Sequence, residues 1–109
     1  MNVRRLSGDD AALWCSAVAA VLDPEDRSAS AADVAAVLAD SRCYLFVATY
    51  DDAPVGLLTA YRFPDVTSVG EIVYLYDIEV LETHRRRGLG ARLVKALIEC
   101  CERDQVKLI

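Results

Sequence analysis

The stretch from Glu71 to Gly90 narrows the fold most: the run EIVYLYDIEV is followed by LETHRRR and then by Gly88-Leu89-Gly90, which opens a helical pattern. Aromatic and β-branched residues make Glu71–Val80 the longest strand expected in the chain. After it, Leu89, Leu93, Ala96, Leu97 and Cys100 recur at intervals of three and four and predict an amphipathic helix beginning near Gly88. A strand that leads through a short basic turn into a helix sets the helix N-terminus beside the strand end. The first helical N–H groups lack intrahelical acceptors there, and the helix dipole adds about half a positive charge, so the turn is built to hold a phosphate or pyrophosphate. Gly88 and Gly90 let a ligand approach the backbone, and Arg85, Arg86 and Arg87 supply cationic donors. A surface helix that merely starts with basic residues is the alternative. The dipole disfavours three arginines at that end, however, and the conflict is resolved by an anionic partner. Neither GxxxxGK[ST] nor GxGxxG is present, so nucleotide binding of those two kinds is not indicated.

The rest of the chain supplies a sheet and two more helices. Val3–Leu6 is expected as a short strand, and Ser7 with Asp10 has capping-box spacing, Asp replacing the usual Glu. Leu13, Trp14, Ala17, Val18, Val21 and Leu22 mark a first helix that Asp23-Pro24 should end, with Trp14 read as core packing. The polar PEDRSAS loop follows, then a second helix capped by Ser28 or Ser30 and carrying Val34, Val37 and Leu38 on one stripe. Tyr44–Tyr50 and Val55–Arg62 read as a hairpin turned by Asp51-Asp52-Ala53-Pro54, and Phe63–Gly70 as a loop. Lys95, Glu99 and Arg103 are spaced for i,i+4 ion pairs, and Val106–Ile109 opens a further strand.

With 109 residues and 54% hydrophobic content, one domain covering residues 1–109 is expected. A net charge of −5 opposes nucleic-acid binding, which needs a basic face, and suits a cationic small molecule better. Cys15, Cys43, Cys100 and Cys101 form no CxxC pair, so no metal site is expected. The opening MNVRRLSGDD has no signal-peptide character, and no run nears the ~20 apolar residues needed to span a bilayer. A cytoplasmic protein with reduced thiols and no membrane association is predicted.

Arg85-x-x-Gly88-x-Gly90 resembles the R/Q-x-x-G-x-G/A pyrophosphate loop of the GNAT acetyltransferases. The stretch YLYDIEVLETHRRRGLGARLVKAL, preceded by Tyr61-Arg62-Phe63-Pro64, looks like the aminoglycoside 3-N-acetyltransferase branch, and the likeness is readable over residues 40–109. It implies an α/β GNAT fold, a mixed and mostly antiparallel sheet flanked by helices, with acetyl-CoA as co-substrate and a small-molecule amine as acceptor. It also implies that the loop amides from Arg86 through Gly88, Leu89 and Gly90 to Ala91 take the CoA pyrophosphate, with Arg85 opening the motif. Main-chain groups of Ile78 and Val80 would bond the pantetheine arm and the acetyl carbonyl.

Transfer to an amine needs a proton acceptor near the strand end. Asp77 and Glu79 share one face under strand alternation, and either can serve or stand solvated; Asp77 ranks first because it stands in the YD of the branch that the chain resembles. Tyr74 and Tyr76 are expected on the opposite face as half-buried packing residues, and His84 on the phosphate side or at the surface. GNAT domains continue through a complete fifth strand, a further helix and two more strands, and many carry there a tyrosine that protonates the leaving thiolate. This sequence stops as the fifth strand opens, so three expectations stand side by side: truncation, completion of the sheet by a second copy in a homodimer, or continuation in a longer polypeptide. A non-catalytic acetyl-CoA-binding module is the competing reading, and a binder of other nucleotides ranks last.

Overall fold

Leu45, Phe46, Val47 and Ala48 are all buried, a pattern that only a strand covered on both faces permits. In the computed structural model, which describes residues 1–22 and 30–109, the covering comes from helices on either side of one sheet. In chain order the elements are β1 (Asn2–Arg5), a 3₁₀ turn (Gly8–Asp10), α1 (Ala11–Val21), α2 (Ala31–Leu38), β2 (Cys43–Tyr50), β3 (Ala53–Pro64), β4 (Glu71–Val80), a second 3₁₀ turn (Glu82–His84), α3 (Leu89–Asp104) and β5 (Lys107–Leu108). The sheet runs β1-β2-β3-β4-β5, antiparallel except for the parallel β4–β5 pair. This is the expected GNAT arrangement.

Trp14, Ala17, Val34 and Leu38 bury α1 and α2 against Leu45, Val47 and Leu57 on one face. On the other, Leu89, Leu93, Leu97, Cys100 and Cys101 of α3 pack on Phe46, Leu58 and Val73. Tyr44, fully buried, fastens β2 to the end of α3: its hydroxyl donates to Asp104 at 2.6 Å, and the Arg5 guanidinium lies 4.0 Å above its ring. The Ser7–Asp10 cap forms as expected, the Asp10 carboxylate accepting from the Ser7 backbone N–H at 2.8 Å. Ser30 caps α2 by accepting from the Asp33 N–H at 3.1 Å. The Asp23-Pro24 stop, the loop behind it and Ser28 lie outside the described residues.

The structure corrects three expectations. β3 continues through Phe63 to Pro64, so only residues 65–70 form the loop; a proline is tolerated there because it ends the strand. Val37 is not core but 39% exposed. Arg103 donates to Cys100 Sγ at 2.9 Å, and neither Lys95–Glu99 nor Glu99–Arg103 closes as an ion pair.

Candidate functional site

The ladder between β3 and β4 slips once. Thr59 faces Asp77, but its neighbour Ala60 faces Leu75, leaving Tyr76 as an extra residue in β4. Leu75 and Ile78 therefore both reach the α3-side core although they are three positions apart. Asp77 and Glu79 oppose Thr59 and Leu57, so they share the α1/α2 face, as expected. Tyr76 does not fall on the face opposite Asp77, because the bulge resets the alternation; its ring meets Tyr61 edge-on at 5.6 Å. Tyr74, opposite Tyr61, lies on that face too. Both tyrosines are exposed (48% and 68%) rather than half-buried packing residues.

Past the bulge, β4 offers main-chain groups at its other edge. The Leu81 N–H donates to the Val55 carbonyl at 2.8 Å. Hydrogen-bonded pairs alternate along an antiparallel ladder, so Asp77 and Glu79 turn their amides toward β3, and Ile78 and Val80 turn theirs away from it. Pairing with the last strand covers only Ile72 to Leu75, the final contact being Leu75 N–H to Ile109 O at 3.4 Å. One outward group is already taken: the Val80 carbonyl accepts from Arg85 Nε at 3.0 Å.

The turn then delivers a helix N-terminus to that edge. Arg86 (φ 65°) and Gly88 (φ 77°) are left-handed, and the first α-helical bond runs from the Arg92 N–H to the Gly88 carbonyl at 3.0 Å. The N–H groups of Leu89, Gly90 and Ala91 thus have no acceptor within the helix, no side chain among the described residues caps them, and the first turn carries no acid. A Cβ on Gly90 would meet nothing closer than Ile78 Cδ1 at 3.9 Å, so room remains above the amides. An open cleft of about 410 Å³ results, bounded by Ile78–Val80, His84–Arg86 and Gly88–Gly90.

Of the residues picked from the sequence, Ile78, Glu79, Val80, Arg85, Arg86, Gly88, Leu89 and Gly90 thus converge on one cleft. Leu89, 2% exposed as a residue, packs in the core at the base of the cleft. Arg87 and Ala91 are exposed outside the lining, and Asp77 stands beside Thr59. Among the described residues, neither Arg86 nor Arg87 has a side-chain partner. His84 joins the cleft, with Nδ1 2.9 Å from the Thr83 hydroxyl and its ring 5.7 Å from that of Tyr50. No group of acids, histidines and cysteines suited to a metal ion occurs among the described residues, and none of their helices is long and apolar enough to cross a membrane.

A bulged strand with an open edge thus feeds a basic turn and an uncapped helix within a five-stranded mixed sheet. The chain matches the model of the Acetyltransferase (GNAT) family over residues 11–109, and it belongs to that family. Members use acetyl-CoA as the acyl donor. Similar solved structures include an aminoglycoside acetyltransferase from an uncultured soil metagenomic sample, at 23% identity and TM-score 0.89, covering 99% of this chain and 76% of that one. Another aminoglycoside acetyltransferase from such a sample, in complex with sisomicin, matches at 22% identity and TM-score 0.87, covering 98% and 73%. The aminoglycoside N-acetyltransferase AAC(6')-Iy in complex with CoA matches at 19% identity and TM-score 0.74, covering 98% and 75%. A comparison with curated proteins found no match.

Proposed function

We propose that the chain transfers the acetyl group of acetyl-CoA to a primary amine. The observation that carries this reading is the meeting, in one cleft, of the outward main-chain groups of Ile78 and Val80 with the unpaired amides of Leu89 and Gly90. The amides from Arg86 to Ala91 and the guanidiniums of Arg86 and Arg87 hold the pyrophosphate. The Ile78 N–H and C=O and the Val80 N–H serve the pantetheine arm and the acetyl carbonyl. Arg85 acts by fastening the turn to β4.

In the reaction the amine nitrogen attacks the thioester carbon: the C–N bond forms, the C–S bond breaks, and one amine proton passes to a carboxylate. The sulfur leaves as a thiolate, which takes a proton from solvent. Asp77 is the acceptor of the amine proton, with Glu79 the second choice. The resemblance in the Tyr61–Leu97 stretch puts forward the 3-amino group of an aminoglycoside as acceptor, and the soil-metagenome neighbours are themselves aminoglycoside acetyltransferases. Titration of the chain with acetyl-CoA in a calorimeter, followed by gentamicin with released thiol monitored, tests the reading. Binding with amine-dependent release is expected. Binding without release leaves an acetyl-CoA-binding module, and absence of binding removes the assignment.

A further inference from the structure

A second cavity, of about 160 Å³, lies between the sheet and the α1/α2 layer. Trp14 of α1, Val34 and Val37 of α2, and Leu45, Thr59 and Tyr61 of the sheet form its walls. Three features separate it from an ordinary packing gap.

First, the Thr59 hydroxyl oxygen is buried against it without a hydrogen-bond partner among the described residues. The Tyr61 phenol borders the same wall, and burial, the largest cause, raises its pKa.

Second, the cavity backs onto the reaction site. Thr59 is the cross-strand partner of Asp77, and opposed side chains on one sheet face lie about 5 Å apart at Cβ. Tyr61, on the same wall, carries Tyr76 against its ring.

Third, the cavity opens to solvent on an acidic side. Val37 is 39% exposed, whereas Val34 and Leu38 on the same helix are 6% and 8% exposed. Asp33, exposed and also part of the lining, is held ionised by the Ser30 backbone N–H that its carboxylate accepts. An ammonium group would be drawn in there, and an apolar body would be retained.

We infer that this cavity receives the apolar body of the acceptor, so that a primary amine carried on one compact aromatic or aliphatic group, an arylalkylamine, is preferred over the aminoglycoside that the sequence resemblance puts forward. The size agrees, since an apolar cavity of about 150 Å³ holds a benzene ring. The Thr59 hydroxyl then gains a partner in the bound amine. The inference rests on the acetyl-transfer reading and sharpens it.

Trp14 is the single tryptophan of the chain, so its fluorescence reports occupancy directly. The experiment titrates phenethylamine and gentamicin separately against Trp14 emission, and measures thiol release with acetyl-CoA for both amines. Phenethylamine should change the emission saturably and give a kcat/KM at least tenfold above that of gentamicin. Val37→Phe, at an exposed position that leaves the fold intact, should fill the cavity and raise the phenethylamine KM at least tenfold without changing acetyl-CoA affinity. Acetylation of gentamicin with phenethylamine inert would overturn this inference and leave acetyl transfer standing. If no amine releases thiol, acetyl transfer falls, and the Trp14 titration decides the cavity: saturable phenethylamine binding supports it, and an unchanged emission removes it.

Discussion

Arg85 Nε donates to the Val80 carbonyl at 3.0 Å, five residues back along the chain, and so ties the basic turn to the strand that it leaves. An exposed bond of this kind contributes about 1 kcal/mol, or about fivefold in an equilibrium. Arg85→Ala should therefore weaken acetyl-CoA binding about fivefold by loosening the turn. Arg85→Gln keeps an N–H donor within reach of the carbonyl and should retain most of the affinity. Calorimetry on both variants separates the latch from a simple charge effect, because Ala and Gln remove the charge equally; equal losses would rule out the latch.

The two glycines of the loop should respond in opposite ways. Gly88 has φ 77°, where a side chain costs about 1–2 kcal/mol, so Gly88→Ala should lower the melting temperature. Gly90 is helical with open space above it, and Gly90→Ala should raise stability by about 0.5–1 kcal/mol. Gly90→Trp keeps the fold yet fills the space over the amides, and should abolish acetyl-CoA binding. Thermal melts with and without acetyl-CoA read all three, and a Gly90→Trp protein still stabilised by acetyl-CoA would displace the ligand from this cleft.

The strand Glu71–Val80 and the helix behind it were legible because pattern and chemistry agree there: a β-rich run, then arginines and glycines at a helix start whose dipole alone would reject the arginines. The bulge at Tyr76 was not legible, since no glycine or proline marks it and register depends on how β3 pairs. Strict alternation consequently sent Tyr76 to the wrong face. The cavity was hidden for a related reason: Trp14, Val34 and Val37 repeat at core spacing, and only the assembled layers reveal that they leave a gap beside Thr59. The surface pairs of α3 failed because such pairs contribute too little, about 0.2–0.5 kcal/mol each, to fix long side chains.

Thr59→Val should not destabilise the protein. The hydroxyl that it removes is buried and has no partner among the described residues, and leaving such a group unsatisfied costs about 1–3 kcal/mol. Denaturant unfolding is expected to give equal or greater stability for Thr59→Val. A loss above about 1 kcal/mol, on the scale of a lost hydrogen bond, would mean that the hydroxyl has a partner.

Tyr44 sets an alkaline limit. Burial first, and then the hydrogen bond to Asp104, push its pKa from 10.0 up to about 12. The folded protein thus holds this proton more tightly than the unfolded chain, and the stabilisation is complete below pH 10 and lost as pH rises from 10 toward about 12. Melting curves across that window should fall more steeply for the wild type than for Tyr44→Phe, which has no proton to lose. Parallel curves would separate the decline from Tyr44.

Asp77 and Glu79 share a face but not a neighbourhood: Glu79 lines the cleft with Gly90, whereas Asp77 stands beside Thr59, next to the aromatic cavity. A proton acceptor must reach the incoming amine, so its place is on the acceptor side. Asp77→Asn should lower kcat by about 10²-fold or more, the usual contribution of general-base catalysis, with little change in the KM for acetyl-CoA. Glu79→Gln removes a negative charge from the cleft proposed for pyrophosphate. It should tighten acetyl-CoA binding by up to about fivefold, since an exposed charge interaction is worth about 0.2–1 kcal/mol, while kcat falls far less than in Asp77→Asn. Steady-state kinetics on the pair decides the assignment, because the reverse pattern, with kcat lost at Glu79 and kept at Asp77, would place the base in the cleft itself.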